Sequence, residues 1–142
     1  MFRIVNGAPS PLSPAEIAEI QAPNTLAAAK TDRLAELADT RWQRETGGIT
    51  LNGAAIATDR QSQALVNGAL ALVSADPSRL IDWKTASGWT RLDAATVAGI
   101  AFAVGAHVQA CFSRERQLAE AIDAAADFAA LDAIDLAAGW PG

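Results

Sequence analysis

The reading of this fold turns on residues 47–61, Gly47-Gly-Ile-Thr-Leu-Asn52-Gly53-Ala-Ala-Ile-Ala-Thr58-Asp-Arg-Gln61. Asn52-Gly53 stands between two short apolar runs, and both positions tolerate positive φ, which is the strongest short-range signal for a β-hairpin. Thr58 followed by Gln61 has the form of a capping box and predicts a helix over about 59–74. Leu65, Ala69 and Leu72 give that helix its expected inner face, with Val66 and Val73 flanking. Gly68 lowers helix stability, so close backbone packing is expected there. Gly47-Gly48 ends whatever helix precedes the hairpin.

Working towards the N-terminus, Asn24 is a good cap for a helix running to about Thr46. Leu26, Leu34, Leu37 and Arg41 fall near one face, with Trp42 beside them. Lys30 and Arg41 interrupt the stripe, so it is narrow and suits partial burial. Pro23 stops a shorter helix that opens at Ser13-Pro14-Ala15-Glu16, with Leu12 and Ile17 placed as a hydrophobic staple. Pro9, Pro11 and Pro14 make residues 1–12 an extended arm. The expected organisation is an N-terminal extended and helical arm, 1–46, followed by a compact α+β domain, 47–142.

Towards the C-terminus, Ala75-Asp-Pro-Ser is a turn and Leu80 to Lys84 a strand with Ile81 and Trp83 on one face. Thr85-Ala-Ser-Gly88 closes a second hairpin that returns through Trp89 to Leu92. Asp93 caps the longest helix, whose inner stripe is Val97, Ile100, Val104, Val108, Cys111, Leu118 and Ile122. A last helix is expected from about Ala126 to Ala138, carrying Phe128, Leu131 and Ile134 and ended by Gly139. The fold class is α+β: two β-hairpins packed with three helices, preceded by a helical arm.

The chain has 142 residues, a net charge of −5 and a pI near 4.7. The 11 Lys and Arg are scattered among 16 Asp and Glu, unlike the basic face of a nucleic-acid binder. One Cys permits no intrachain disulfide and fits synthesis in a reducing cytoplasm. The first residues lack the apolar core of a signal peptide. No stretch reaches the roughly 18 uninterrupted apolar residues of a membrane span, so residues 97–111 are read as a buried helix and no membrane insertion is expected.

His107 and Cys111 share a helix face at i, i+4, a spacing that could present two zinc ligands or a thiol–imidazole pair. The chain has no other His or Cys, and both lie on the apolar stripe, so they read as core. The pairs Asp123/Asp127 and Asp132/Asp135 read as solvated faces of Ala-rich helices. Neither a phosphate loop nor a Gly-x-Ser-x-Gly elbow is present. No catalytic residue, cofactor or metal is expected. Trp42 and Trp140 are candidates for protein contact, because exposed Trp is enriched at binding hot spots. With Leu34 and Leu37 they form the expected interface set.

Glu45-Thr-Gly-Gly-Ile-Thr-Leu-Asn-Gly, Ile56-Ala-Thr-Asp-Arg-Gln-Ser-Gln, Trp83-Lys-Thr-Ala-Ser-Gly-Trp, His107-Val-Gln-Ala-Cys-Phe and the closing Gly-Trp-Pro occur in that order. Over about residues 43–142 the chain resembles the phage and prophage family catalogued as domain of unknown function 4376. The resemblance implies a protein encoded near tail-fibre genes, with no catalytic residues to carry over. It implies a structural component of the virion tail (tail tip, baseplate or fibre attachment), made in the host cytoplasm. Its partners would be other tail or fibre proteins, in a homo-oligomer or as a repeated subunit. The alternative is a tail-fibre assembly chaperone absent from the mature virion. A cell-wall enzyme is a distant third.

Overall fold

A computed structural model describes residues 2–5 and 8–11 as backbone, and residues 25–142 with their side chains. The short helix expected after Ser13 lies outside the described residues. Phe2–Val5 (β1) pairs antiparallel with Ala8–Pro11 (β2), so part of the expected extended arm forms a two-stranded ladder.

Helix α1, Leu26–Thr46, starts at Thr25, whose hydroxyl accepts the Ala28 N–H at 3.1 Å. The cap is therefore one residue later than expected. Strands β3, Ile49–Leu51, and β4, Ala54–Ile56, form the first hairpin, in register Ile49↔Ile56. Asn52 (φ 51°) and Gly53 (φ 81°) make its turn in the left-handed region that the Asn-Gly pair predicts.

Helix α2, Arg60–Ala75, is capped by Asp59, which accepts the Ser62 N–H at 3.1 Å. The expected cap, Thr58, is buried and bonded elsewhere. The helix is also rotated from its expected setting: Val66, Ala69 and Val73 are buried, whereas Leu65 and Leu72 are exposed. Strands β5, Ile81–Thr85, and β6, Gly88–Leu92, form the second hairpin, with Gly88 at φ 131°. Helix α3, Ala94–Ala124, follows its Asp93 cap, and a five-residue helix α4, Phe128–Asp132, replaces the longer one expected. Beyond α4 the chain turns back on itself. The Trp140 Nε1–H donates to the Leu136 carbonyl at 2.8 Å, and the Arg114 Nε–H donates to the Ala138 carbonyl at 2.9 Å.

The α+β class, with two hairpins, three helices and a preceding helix, is as the sequence predicts. Among the described residues the apolar interior has two parts. One joins Leu37 of α1 to Leu118 and Ile122 of α3, and to Leu131 and Leu136 beyond it. The other joins Ala69 and Val73 of α2 to Val97 of α3, under Ile81, Trp83 and Leu92 of the second hairpin. Helix α3, ~46 Å long at 1.5 Å per residue, serves both. It is also long and apolar enough by length and composition to cross a membrane, and 22% of its most apolar window is buried.

Leu37 is 1% exposed at the centre of the first part, with Leu34 and Trp140 packed against it. Expected at an interface with another protein, Leu37 is instead a core residue. Its stripe is covered by α3 and the C-terminal turn, because Lys30 and Arg33 stand on the rim of the stripe instead of breaking it. Lys30 Nζ donates to the Asp123 carbonyl at 2.8 Å, and Arg33 donates to the Ile134 carbonyl.

Candidate interaction surface

Glu45, in the last turn of α1, is 0% exposed. Its carboxylate accepts from Arg41 Nη1 one turn earlier (2.6 Å), from Arg60 Nε and Nη2 at the start of α2 (2.5 and 2.9 Å), and from Gln63 Nε2 (2.9 Å). Burial alone would push this carboxyl's pKa up. The hydrogen bonds from Arg60, Gln63 and Arg41 outweigh that and hold it at about 2. Below it, the Thr58 hydroxyl donates to the Glu45 carbonyl at 2.6 Å and accepts the Gly48 N–H at 2.9 Å. Arg41 Nε reaches across to Glu115 of α3 at 2.9 Å. Glu45 thus ties the end of α1 to the start of α2 through its carboxylate and to the exit of the first hairpin through its main-chain carbonyl, and Arg41 extends the tie to α3.

Two aromatic rings lie over these guanidinium groups. Arg60 Cζ is 5.0 Å and Arg41 Cζ 6.0 Å from the centroid of the Trp42 ring, and Arg41 Cζ is 4.6 Å from that of Phe112. Cations at these distances are attracted to the ring faces. Trp42 is 45% exposed, and Arg60 and Phe112 are also open to solvent. The surface therefore presents a Trp and a Phe beside two guanidinium groups that Glu45 holds from beneath.

Of the four expected interface residues, Trp42 alone lies on this surface. Leu34 and Trp140 pack against the core and Leu37 lies within it. Arg41, read in the sequence as an interruption of the α1 stripe, and Arg60 hold the ring. The spacing of Arg41 and Glu45 at i, i+4 was the available signal. Nothing local points to Arg60, 15 residues from Glu45.

His107 Nε2 lies 2.9 Å from the Arg44 carbonyl and 3.8 Å from Cys111 Sγ. A carbonyl only accepts, so that nitrogen carries its hydrogen and is not free to take a proton from the thiol. Burial, and then the Glu45 charge, push the Cys111 thiol up, away from the thiolate a nucleophile requires. Among the described residues, no three His, Cys, Asp or Glu side chains gather as a metal set. Glu45 is saturated with donors, and its lowered pKa makes it a poor base near neutrality. The chemistry this arrangement suits is rigid display of aromatic and cationic groups.

Fold and site together define a small α+β domain with a buried carboxylate beneath a cluster of guanidinium groups and aromatic rings. The chain belongs to the family described as Domain of unknown function (DUF4376), whose model matches residues 28–138. That match starts inside α1, well before residue 43, where the sequence motifs begin to resemble the family. No curated protein and no solved structure matches the chain.

Proposed function

We propose that this protein is a structural component of a bacteriophage tail, acting at the tail tip, baseplate or fibre attachment through protein–protein contacts centred on Trp42. The observation that carries the reading is the half-exposed Trp42 ring, stacked by Arg60 and Arg41, which Glu45 locks from below. Trp and Arg dominate binding hot spots, and an immobilised side chain loses little entropy when a partner covers it. The phage setting comes from the motif resemblance to domains encoded beside tail-fibre genes. The protein's work is non-catalytic: its buried carboxylate is held anionic and its thiol is held protonated, and neither state suits acid–base or nucleophilic steps.

Quantitative mass spectrometry of purified virions tests this reading. The protein should be present at a fixed copy number and co-purify with tail proteins. Its absence from virions that require it for fibre assembly would replace this role with that of an assembly chaperone.

A further inference from the structure

The tripeptide Asn-Gly-Ala occurs three times in this chain, at residues 6–8, 52–54 and 67–69. Val5, Leu51 and Val66 precede the three copies, so all share nearly one intrinsic chemistry. Asn6-Gly7 lies outside the described residues. The other two copies sit in opposite backbone settings. Asn52-Gly53 is the tip of the first hairpin, at φ 51° and 81°, whereas Asn67-Gly68 lies inside α2. Asn52, Gly53, Asn67 and Gly68 are all exposed, so solvent access does not separate the pairs. A Cβ on Gly68 would meet nothing within 4 Å, so the close packing expected there is not made among the described residues.

An Asn followed by Gly is open to one intramolecular reaction. The main-chain nitrogen of the glycine attacks the asparagine Cγ, most easily where no Cβ crowds that nitrogen. A C–N bond forms, the side-chain amide leaves as ammonia with the glycine's amide proton, and a succinimide ring results. Water then opens the ring at either carbonyl and leaves aspartate or isoaspartate. The nitrogen must be unengaged and able to reach Cγ. In α2 the Gly68 N–H is committed to the Ala64 carbonyl four residues back. Freeing it means opening a helix that buries Val66, Ala69 and Val73. At the hairpin tip, the Gly53 N–H has no acceptor among the described residues, and the space round Gly53 is open. Each strand of that hairpin has three residues, and so short a ladder opens at low cost. Water reaches the amide from an open hollow of about 330 Å³ that Asn52 lines together with Asp93 and Thr96.

We infer that Asn52 is a self-modifying site: attacked by the Gly53 nitrogen and released by water, it becomes aspartate or isoaspartate in the folded protein, while Asn67 keeps its amide. Either product adds a negative charge to a chain that already carries −5, and places it on the hollow that Asp93, the cap of α3, also lines. Isoaspartate in addition inserts a methylene into the main chain, which the left-handed turn and its Leu51↔Ala54 register do not accommodate. Neither Trp42 nor Glu45 takes part, so this inference and the proposed tail role stand or fall separately.

Peptide-resolved mass spectrometry is the test, on the full chain kept folded in mildly alkaline buffer and sampled over weeks. An isoaspartate-specific methyltransferase marks the product. Asn52 should lose its amide about tenfold or more faster than Asn67, a gap set by the extra cost of opening a packed helix. In denaturant the two rates should converge, because the flanking residues are alike. Gly53→Asn tolerates the left-handed turn but crowds the attacking nitrogen, and should slow the loss at Asn52 severalfold. Equal rates at Asn52 and Asn67 in the folded chain overturn the inference. So does an Asn52 amide that persists when folded and is lost only in denaturant, or a loss at Asn52 that ignores Gly53→Asn.

Discussion

Arg60 grips Glu45 with two N–H groups while its guanidinium lies 5.0 Å from the centre of the Trp42 ring. A buried charge and an exposed hot spot thus share one side chain, and folding strength at Glu45 becomes positional precision at Trp42.

Trp42→Ala should separate binding from stability. With the ring 45% exposed, the loss of fold stability should be about 1 kcal/mol or less, the scale of an exposed cation–π pair. Under the tail role proposed above, complementation of a phage lacking the gene should fall sharply. Normal particle yield and normal occupancy of the variant would dismiss Trp42 as a contact.

Leu37→Asp should abolish folding, because it places a charge where Leu118, Ile122 and Leu131 exclude water. Leu37→Ala should cost about 2–5 kcal/mol. A chain starting at residue 43 loses Leu37, Arg41, and the Lys30 and Arg33 ties, and should be unfolded by circular dichroism. A cooperative melt from that truncation would show that α1 is dispensable.

The Glu45 network sets an acid limit. Its carboxyl sits at about 2 when folded, against an ordinary 4.5. A depressed pKa contributes stability that is complete above the unfolded value and is lost as pH falls from about 5 towards 2. The contribution at neutral pH is on the order of 3 kcal/mol. Chemical denaturation as a function of pH should show that decline in the wild type. Glu45→Gln, which leaves Arg60 without a carboxylate and Arg41 with Glu115 alone, should be destabilised by roughly 3 kcal/mol at pH 7 and show a flatter acid profile. Parallel profiles would place the acid sensitivity elsewhere.

Gly53→Val forces a β-branched residue to φ 81° and should cost about 1–2 kcal/mol, read as a lower melting temperature. Ser87→Ala removes an exposed hydroxyl whose contact is Thr85 at 3.2 Å and should shift the melt hardly at all.

Local rules carried far in this chain. The Asn52-Gly53 turn, the Asp93 cap, the second hairpin and the alternation of Val97, Val104, Cys111, Leu118 and Ile122 could all be read from neighbours in the sequence. The misreadings arose where a tertiary partner decided. Thr58 has the look of a cap, but the Glu45 carbonyl takes its hydroxyl and Asp59 caps α2 instead. The face of α2 slipped by one position because Val66, Ala69 and Val73 are buried in place of Leu65 and Leu72, with Ala69 and Val73 packed under the second hairpin. Leu37 suggests docking because its stripe is narrow, and only the fold shows α3 and the C-terminal turn closing over it. The surface around Trp42 was half legible: the ring stood out, but Arg60 joins it across a hairpin that no spacing rule spans.

Helix α3 runs through both halves of the interior, with the His107–Arg44 contact between them. Its amides therefore report on two neighbourhoods from one continuous rod. Hydrogen exchange should be slowest near Ile122, whose surroundings include α1, α4 and the C-terminal turn. Amides near Val97, sheltered by one helix and a two-stranded hairpin, should exchange through a smaller opening at lower free energy. Whatever clamps the Val97 end would slow exchange there first, so the rod records from which end the molecule is being held.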